Sequence, residues 1–391
     1  MRRISVVLGA VLAILSSSTM AENKADLQVV QGNNHFSNDL YKVLSGNEGN
    51  VFFSPISVHA VLAMAYQGAQ ESTAEVFAAC LKVPDAATAA EGYNAVMSKL
   101  NNVPNVTLLM ANKVYLMAGF KLLEAFDTAI SKKFLSEVEL LDFAQNEASA
   151  KAINDWVKEK TREKIQDLIQ AGDLNSDTRL VLVNAIYFKG DWLHKFDKEL
   201  TKKEPFYLNN EDKVDVQMMH IKRKYYFSER EDLDAKILQL PYTNEDLSMV
   251  IILPNKRDGI KDLEKKLESF DLNNITEGLW NVEVNVALPR FKIETTIDLN
   301  DPLTKMGLGE IFDQSKANFR GMIGQDLYVS KVVQKAFIEV NEEGAEAAAA
   351  TAIIIDSYML VPSADFTANY PFVICLLSKK TVLFMGRIAS F

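Results

Sequence analysis

The four histidines are the residues of this 391-residue sequence best suited to proton transfer or metal binding. No two of them stand at the spacing of metal ligands, and the sequence holds no His-Glu-x-x-His, Cys-x-x-Cys, Gly-x-Ser-x-Gly or glycine-rich phosphate-binding motif. A Ser-His-Asp triad assembled from distant positions stays an alternative, because triads are recognised by the geometry of their side chains and not by sequence spacing. We expect a protein that is not an enzyme, with no metal or cofactor and with structural or exposed histidines: His35, His59, His194 and His220.

The two cysteines, Cys80 and Cys375, are the other candidates for chemistry. They could form one disulfide, or they could be two buried free thiols. Cys375 favours the second interpretation because it lies in the apolar run 371–377, and free cysteine is among the most buried residue types. Two cysteines do not make a disulfide framework for an exported protein of this length.

A basic cluster, Lys222-Arg223-Lys224, precedes three aromatic residues and could be mistaken for a nucleic-acid patch. The formal net charge of the chain is −10, which repels nucleic acid and anionic lipid. We therefore expect the cluster to be a solvated turn that leads into a strand. Neither a nucleic-acid partner nor a membrane partner is expected.

The segment 341–359 does not fit an ordinary fold. Its alanines are compatible with a helix, but Ile353, Ile354 and Ile355 prefer strands. Read from residue 345 to 358 with the two-residue period of a strand, one face is uncharged and has small residues at its start, and both charges, Glu346 and Asp356, fall on the other face. Such a strand is acceptable both outside a sheet and inside one. The uncharged face comprises Ala345, Ala347, Ala349, Thr351, Ile353, Ile355 and Ser357.

The elements around this segment indicate an α+β protein without internal repeats. Helical patterns cover 35–44, 54–66, 149–172, 260–270 and 299–306, and the third of them predicts a surface helix packed on a flat partner. Strand patterns begin at Leu180. They cover 180–188, 235–240, 247–253, 282–291, 327–340, 372–377 and 382–388.

The N-terminus has the layout of a cleavable secretory signal over residues 1–21: two arginines, an apolar run to Leu15 and a small-residue end. The loss of Arg2 and Arg3 would take the formal charge from −10 to −12. We expect one continuous domain over 22–391, secreted and monomeric. Export would make Asn105 and Asn274 glycosylation acceptors, since both begin Asn-x-Thr sequons.

Several motifs, in matching order and spacing, identify the chain as similar to the serpin family of serine protease inhibitors. The segment 342–351, Glu-Glu-Gly-Ala-Glu-Ala-Ala-Ala-Ala-Thr, resembles the hinge of inhibitory serpins, above all of antichymotrypsin-like members from insect haemolymph. Further matches are Asn-Val-Phe-Phe-Ser-Pro-Ile-Ser at 50–57, Leu-Val-Asn-Ala-Ile-Tyr-Phe-Lys-Gly-Asp-Trp at 182–192, Leu-Pro-Arg-Phe at 288–291, Lys-Ala-Phe-Ile-Glu-Val at 335–340 and Leu-Phe-Met-Gly-Arg at 383–387.

The resemblance implies a fold of three β-sheets and eight to nine helices, with an exposed reactive-centre loop at about 344–362. It also implies a mechanism: a protease cuts the loop, and the freed segment inserts into the largest sheet while the protease is still covalently attached. In related inhibitors the cut follows the fourteenth residue after the hinge glycine, which selects the bond Tyr358-Met359. The hinge residues that correspond are Glu342, Glu343, Gly344, Ala345, Glu346, Ala347, Ala348, Ala349, Ala350 and Thr351.

A polar cluster where the strands must part is also implied by the resemblance, at Ser54, Ser57, Asn184 and Gln334. Each of these could otherwise be a helix cap or a satisfied core group. Gln334 stands where the family often has histidine, which puts pH-sensitive opening in doubt. The stretch 86–100, basic in heparin-activated relatives, offers only one lysine here, so no strong heparin activation is expected.

The residue before the predicted cut, Tyr358, suits the apolar specificity pocket of a chymotrypsin-like protease. No Lys or Arg occurs over 344–378, so a shifted register gives no trypsin-like target, while elastase-like and cathepsin G-like enzymes stay open. Two other classes also stay open: a non-inhibitory carrier or storage serpin, and an exported hydrolase without a recognisable motif.

Overall fold

The structure, a computed structural model, describes residues 24–100, 106–343 and 363–391. Several predicted features lie outside these ranges. They are the signal segment 1–21, the sequon residue Asn105, the hinge from Gly344 to Thr351 and the bond between Tyr358 and Met359.

Nine α-helices are present in the described ranges, in agreement with the eight to nine that the resemblance implied. The first, α1, covers 24–44 and is longer than the predicted 35–44. The others are α2 (Pro55–Tyr66), α3 (Glu71–Leu81), α4 (Ala86–Leu100), α5 (Glu124–Lys133), α6 (Asn146–Lys160), α7 (Ile260–Leu267), α8 (Asn300–Leu303) and α9 (Arg320–Ile323).

Fourteen strands are present in the same ranges. They are β1 (Val51–Phe53), β2 (Val106–Met117), β3 (Val138–Leu141), β4 (Leu180–Gly190), β5 (Lys202–Tyr207), β6 (Lys213–Arg230), β7 (Ala235–Pro241), β8 (Leu247–Pro254), β9 (Trp280–Pro289), β10 (Phe291–Asp298), β11 (Val329–Val340), β12 (Ala364–Thr367), β13 (Phe372–Ser378) and β14 (Thr381–Ile388).

These strands form the α+β fold with three sheets that the resemblance implied. One sheet is separate from the others and has five strands in the order β10-β11-β4-β2-β3. The other nine strands form one hydrogen-bonded network, in which the 18-residue strand β6 is shared by two groups. Its first part pairs with β5 and its middle with β9, whereas its last residues pair with β7. If the network is divided at β6, its two groups of strands are the second and third sheets.

Helix α2 lies in the core, against one face of the five-stranded sheet. All twelve of its residues are buried, because Val, Leu, Ala, Met and Tyr occur around its whole circumference. It contacts β2, β4 and β14, so it joins the five-stranded sheet to the nine-stranded network. A helix that is apolar all round is buried on every side, and α2 thereby fixes the position of the two sheets relative to each other.

Helix α6 covers the opposite face of the five-stranded sheet. This agrees with the prediction of a surface helix packed on a flat partner. Its residues Ile153 and Val157 are buried in a second, smaller core with side chains from β2, β4 and β11. The predicted span to residue 172 was wrong, because α6 ends at Lys160 and the next turn has positive φ at Arg162 and Glu163. Three apolar residues of the predicted helix reach the same core from the non-helical chain: Ile165, Leu168 and Ile169.

One histidine, His59, is fully buried in α2 and has a structural role. Its Nε2 lies 2.9 Å from the carbonyl oxygen of Leu81, and its Nδ1 lies 2.5 Å from the hydroxyl of Tyr93. Since a carbonyl can only accept, the neutral ring donates from Nε2 and accepts from Tyr93. Burial lowers the pKa of His59 to about 4.

We expect the unfolding free energy to fall as pH drops from about 6.5 to about 4, because the unfolded chain then binds a proton that folded His59 does not. The loss attributable to His59 should be on the order of 3 kcal/mol, measured by urea unfolding across this range. NMR titration of the four imidazoles checks the cause. A His59 ring that titrates near pH 6.5 would contradict the assignment.

Candidate functional site

The two central strands of the five-stranded sheet, β4 and β11, run parallel to each other. Residues 180–188 of β4 pair with 329–338 of β11, and we call this pairing the seam. On the outer sides of the seam, β10 pairs antiparallel to β11 and β2 pairs antiparallel to β4. A strand placed between β4 and β11 in the reverse direction would convert one parallel pairing into two antiparallel ones, which are slightly more stable per residue.

The chain that follows β11 is the predicted hinge. The segment best placed to fill the seam is therefore connected directly to β11, one of the two strands of the seam. A chain that turns back after Val340 runs antiparallel to β11, and therefore to β4 as well. The geometry of the seam is compatible with a returning strand that needs no crossover connection. The seam is therefore the candidate functional site.

A row of three amides crosses the seam at one level, and we call it the polar row. It consists of Asn112 on β2, Asn184 on β4 and Gln334 on β11, which are register partners of one another. The side-chain amide of Asn184 donates to Asn112, and that of Gln334 donates to Asn184. Asn184 and Gln334 are completely buried. The row thus links three neighbouring strands through side chains as well as through the backbone.

The start of α2 closes the polar row on the core side. The backbone N–H of Ser54 donates to Gln334 at 2.9 Å, and the Gln334 amide donates to the carbonyl of Ser54 at 2.9 Å. The hydroxyl of Ser57 donates to Asn112 at 3.0 Å and accepts from Asn184. The structure therefore brings together the four residues predicted to form a polar cluster, Ser54, Ser57, Asn184 and Gln334, and adds Asn112.

The chemistry of the polar row suits a junction that must both hold and part. Each amide donates and accepts, so one set of hydrogen bonds can be exchanged for another when a strand enters. The three members of the row are amides, which do not ionise in the physiological pH range. Gln334 occupies the position where the family often has histidine, which would ionise there. The role of the cluster in sheet opening stays a prediction, and the row supplies no titratable group to drive it.

Asn112 was missed by the sequence analysis. A single Asn in the mixed segment 106–117 looks like a solvent-facing strand residue, and no local pattern distinguishes it. The signal lies in the register, since Asn112 pairs with Asn184, which pairs with Gln334. Three amides at equal register on three adjacent strands could be found only once the strand pairing was known.

The end of β11 is held by contacts that lead up to the hinge. The carbonyl of Asn341 accepts from the Trp192 indole at 2.9 Å. The Glu342 side chain is almost fully buried; it accepts from the Thr201 hydroxyl at 2.7 Å and lies 3.4 Å from the Arg290 guanidinium. These contacts anchor the chain at the last described residues before the predicted hinge alanines.

Glu343 is the last residue described before the gap, and it pairs with Lys198 at the surface. This hydrogen-bonded ion pair lowers the pKa of Glu343 and raises that of Lys198. Because Lys198 is exposed and Glu343 is only partly buried, the pair contributes little to stability. The buried Glu342 and its partners therefore hold the start of the hinge more strongly than Glu343 does.

Helix α6 and the chain that follows it cover the other face of the sheet, and Lys335 of β11 donates to the carbonyl of Gln166 in that chain at 2.6 Å. Val183 of β4 and Val333 of β11 are register partners and belong to the core beneath α6. The ring of Tyr187 on β4 stacks on Phe337 of β11 with centroids 5.0 Å apart. Any strand that enters the seam must separate these pairs and locally displace the chain that covers them.

Other candidate residues do not form a reactive site in the described part of the chain. Cys80 and Cys375 are both buried free thiols, and burial raises the pKa of each to about 12. Across residues 24–100, 106–343 and 363–391, no group of three His, Cys, Asp or Glu side chains is placed to hold a metal ion. Within the same ranges no helix is long and apolar enough to span a bilayer.

Two surface predictions can be placed in the fold. Asn274 is exposed in a short 3₁₀ helix, where a glycan would have access, and its occupancy stays a prediction. The cluster Lys222-Arg223-Lys224 was predicted to be a turn before a strand, which was wrong. It lies in the middle of β6, where the chain stays extended because β9 pairs with it throughout.

Comparisons with known proteins agree with this architecture. The family model described as "Serpin (serine protease inhibitor)" matches residues 31–391. Leukocyte elastase inhibitor A of Rattus norvegicus is 41% identical over 378 residues, covering 93% of this chain and 99% of its own. The crystal structure of Serpin48 from the insect Tenebrio molitor has a TM-score of 0.85 at 35% identity, covering 94% of this chain and 99% of its own. A structure described as cleaved Serpin 42Da has a TM-score of 0.85 at 36% identity, with coverage of 94% and 99%.

Proposed function

The chain belongs to the serpin family of serine protease inhibitors, and on that premise we propose that it traps a chymotrypsin-like protease irreversibly after being cut at Tyr358-Met359. Serpins of this kind act as inhibitors and not as enzymes, which confirms that the chain is not an enzyme. The finer likeness to insect antichymotrypsin-like serpins is part of the proposal.

The observation that carries the proposal is the parallel seam followed directly by the hinge. The freed hinge strand would enter between β4 and β11, antiparallel to both, while the protease is still attached through an acyl bond. About 14 inserted residues at about 3.3 Å each span roughly 46 Å. At roughly 0.5–1.5 kcal/mol per new hydrogen bond, the gain is on the order of 10 kcal/mol.

The proposed target class depends on Tyr358. A large aromatic side chain before the cut fits the apolar pocket of chymotrypsin-like enzymes. Elastase-like enzymes form the second candidate class, because curated relatives at about 40% identity are named leukocyte elastase inhibitors. Trypsin-like enzymes fit poorly, since no Lys or Arg occurs over 344–378.

We further propose that the protein is secreted and acts as a monomer outside the cell, without strong heparin activation. The signal-like layout of 1–21 and the exposure of Asn274 support this proposal. Helix α4, at the position that is basic in heparin-activated relatives, carries Lys99, which is paired with Asp26.

Denaturing electrophoresis after mixing the purified protein with chymotrypsin tests the trapping proposal. We expect a stable band at the summed mass of protease and inhibitor less that of the released C-terminal peptide, which mass spectrometry should find to begin at Met359. Leukocyte elastase in parallel reactions distinguishes the two target classes. Complete cleavage without any higher-mass band, with either enzyme, would instead favour the carrier or storage function.

A further inference from the structure

A hollow of about 310 Å³ opens on the exposed face of strands β6, β9 and β12 in the nine-stranded network. Its floor is the buried Ala287 of β9, whose side chain is too small to fill the space. The register partners of Ala287 are His220 on β6 and Thr367 on β12. The neighbouring row along the same strands consists of Lys222, Asn285 and Asp365.

The side chains of both rows point to one face of the sheet. Cross-strand partners share a face, and so do residues two apart along a strand. The side-chain contacts agree with this placement. The Asn285 amide donates to Asp365 at 2.8 Å. Lys222 pairs at 2.8 Å with Glu283, which lies two residues before Asn285 on β9. The hollow is therefore bounded by a single continuous surface.

The remaining side of the hollow is formed by β5 and the residues that precede it. Glu204 of β5 lies with its carboxylate 3.0 Å from Nε2 of His220. Because a carboxylate can only accept, the neutral His220 ring donates from Nε2, which leaves Nδ1 as an acceptor. Leu200, which is 49% exposed, adds an apolar wall. Apolar walls with a few polar groups at the rim are the usual composition of a ligand site.

Acceptors predominate among the groups that the hollow offers to a ligand. The ammonium group of Lys222 is held by Glu283, and the Asn285 amide already donates to Asp365. By contrast, five acceptors make no hydrogen bond within the described residues. They are one carboxylate oxygen each of Glu204 and Asp365, the amide oxygen of Asn285, Nδ1 of His220 and the hydroxyl of Thr367.

The charges around the hollow favour a cation. When the ion-pair partners of its charged side chains are included, three carboxylates stand against two ammonium groups, and the chain as a whole carries a formal charge of −10. The carboxylates are those of Glu204, Glu283 and Asp365, and the ammonium groups are those of Lys202 and Lys222. A guanidinium group has five N–H donors in one plane and no acceptor, so it matches a rim of this composition.

We propose that the hollow is a binding site for a guanidinium group on an apolar stem, as in the side chain of arginine. The planar donors would bond to the unused acceptors of Glu204, Asn285 and Asp365. The stem would pack against Leu200 and Ala287. A lysine-type ammonium group fits less well, because its three donors radiate from a single atom. Such a site goes beyond the proposed function and does not depend on a protease. An arginine of a partner protein and a free arginine molecule share this chemistry.

NMR titration of the full-length protein tests the site directly. The chain has four histidines, so the His220 imidazole signal can be assigned by its loss in His220→Gln. With N-acetyl-arginine N-methylamide, which represents a protein-borne side chain, we expect a saturable shift of this signal. The corresponding lysine compound should bind at least about tenfold more weakly. Free arginine distinguishes the two sources. Tighter binding than the blocked residue would identify a free molecule as the occupant, and weaker binding would identify an arginine of a partner protein.

Two charge-removing variants locate the binding to the hollow. Asp365→Asn keeps the shape of the rim and should weaken binding about tenfold, and Glu204→Gln on the opposite wall should act in the same direction. Ala287→Leu should abolish binding because it fills the floor. The matched control is Asp262→Asn, an exposed aspartate on α7 outside the hollow, which should leave the affinity unchanged. No saturable shift below about 10 mM of either arginine probe would overturn the proposal. Equal affinity in the wild type and both charge-removing variants would overturn it as well.

Discussion

Ala345→Arg is expected to convert this inhibitor into a substrate. Position 345 belongs to the uncharged face of the predicted inserting strand, so arginine would have to be buried in the sheet without a partner. Burying an unpaired charge costs several kcal/mol, and each 1.4 kcal/mol changes a rate ratio about tenfold. Slower insertion lets the acyl-enzyme hydrolyse first. The covalent complex with chymotrypsin should therefore fall at least about tenfold while cleavage of the loop continues.

The control for this substitution is Glu346→Arg on the opposite face, which already carries charge. It should leave most of the complex intact. The measurement is the ratio of trapped to cleaved inhibitor on denaturing gels at equal protease. Equal trapping by the Ala345→Arg variant and the wild type would contradict the assignment of faces.

A disulfide across the seam should block trapping completely and reversibly. Val183 and Val333 are register partners on β4 and β11, and both are buried beneath α6. Adjacent strands lie about 4.8 Å apart, which is within the Cα separation that a disulfide accepts. In the Val183→Cys/Val333→Cys variant the oxidised seam could not part. Chymotrypsin should then cleave the loop without forming a covalent complex, and a reducing agent should restore trapping.

The matched control places the same bond between two strands that stay together. Ala111 on β2 and Ala185 on β4 are register partners under the same helix. The Ala111→Cys/Ala185→Cys variant should trap the protease whether oxidised or reduced. The native thiols, Cys80 and Cys375, are buried and would not interfere. Trapping by the oxidised seam variant would show that the strand enters elsewhere.

The strands with continuous apolar runs could be predicted from the sequence. Strands β4, β8 and β13 are buried on both faces, so their composition alone reveals them. Strands β2, β5 and the first half of β6 were missed, because their mixed polar sequences acquire order through pairing with neighbours. The same reason explains the error at Lys222-Arg223-Lys224, since β9 holds that segment extended.

The polar residues at the seam could be predicted only in part. The resemblance pointed to Ser54, Ser57, Asn184 and Gln334, whereas Asn112 became visible only from the register of β2. Local sequence does not encode which strands become neighbours, because β4 and β11 are about 150 residues apart in the chain and pair only in the folded state. The parallel direction of the seam, on which the proposed mechanism depends, was therefore a finding of the structure.

Thermal unfolding of the intact protein and of the same protein cut once in its loop tests the central claim most directly. If the freed strand fills the seam, the cut form gains on the order of 10 kcal/mol of hydrogen bonding and should unfold at a much higher temperature than the intact form. A synthetic peptide of residues 345–358, annealed to the uncut protein, should raise its unfolding temperature in the same way. Equal or lower unfolding temperatures after the cut would contradict strand insertion.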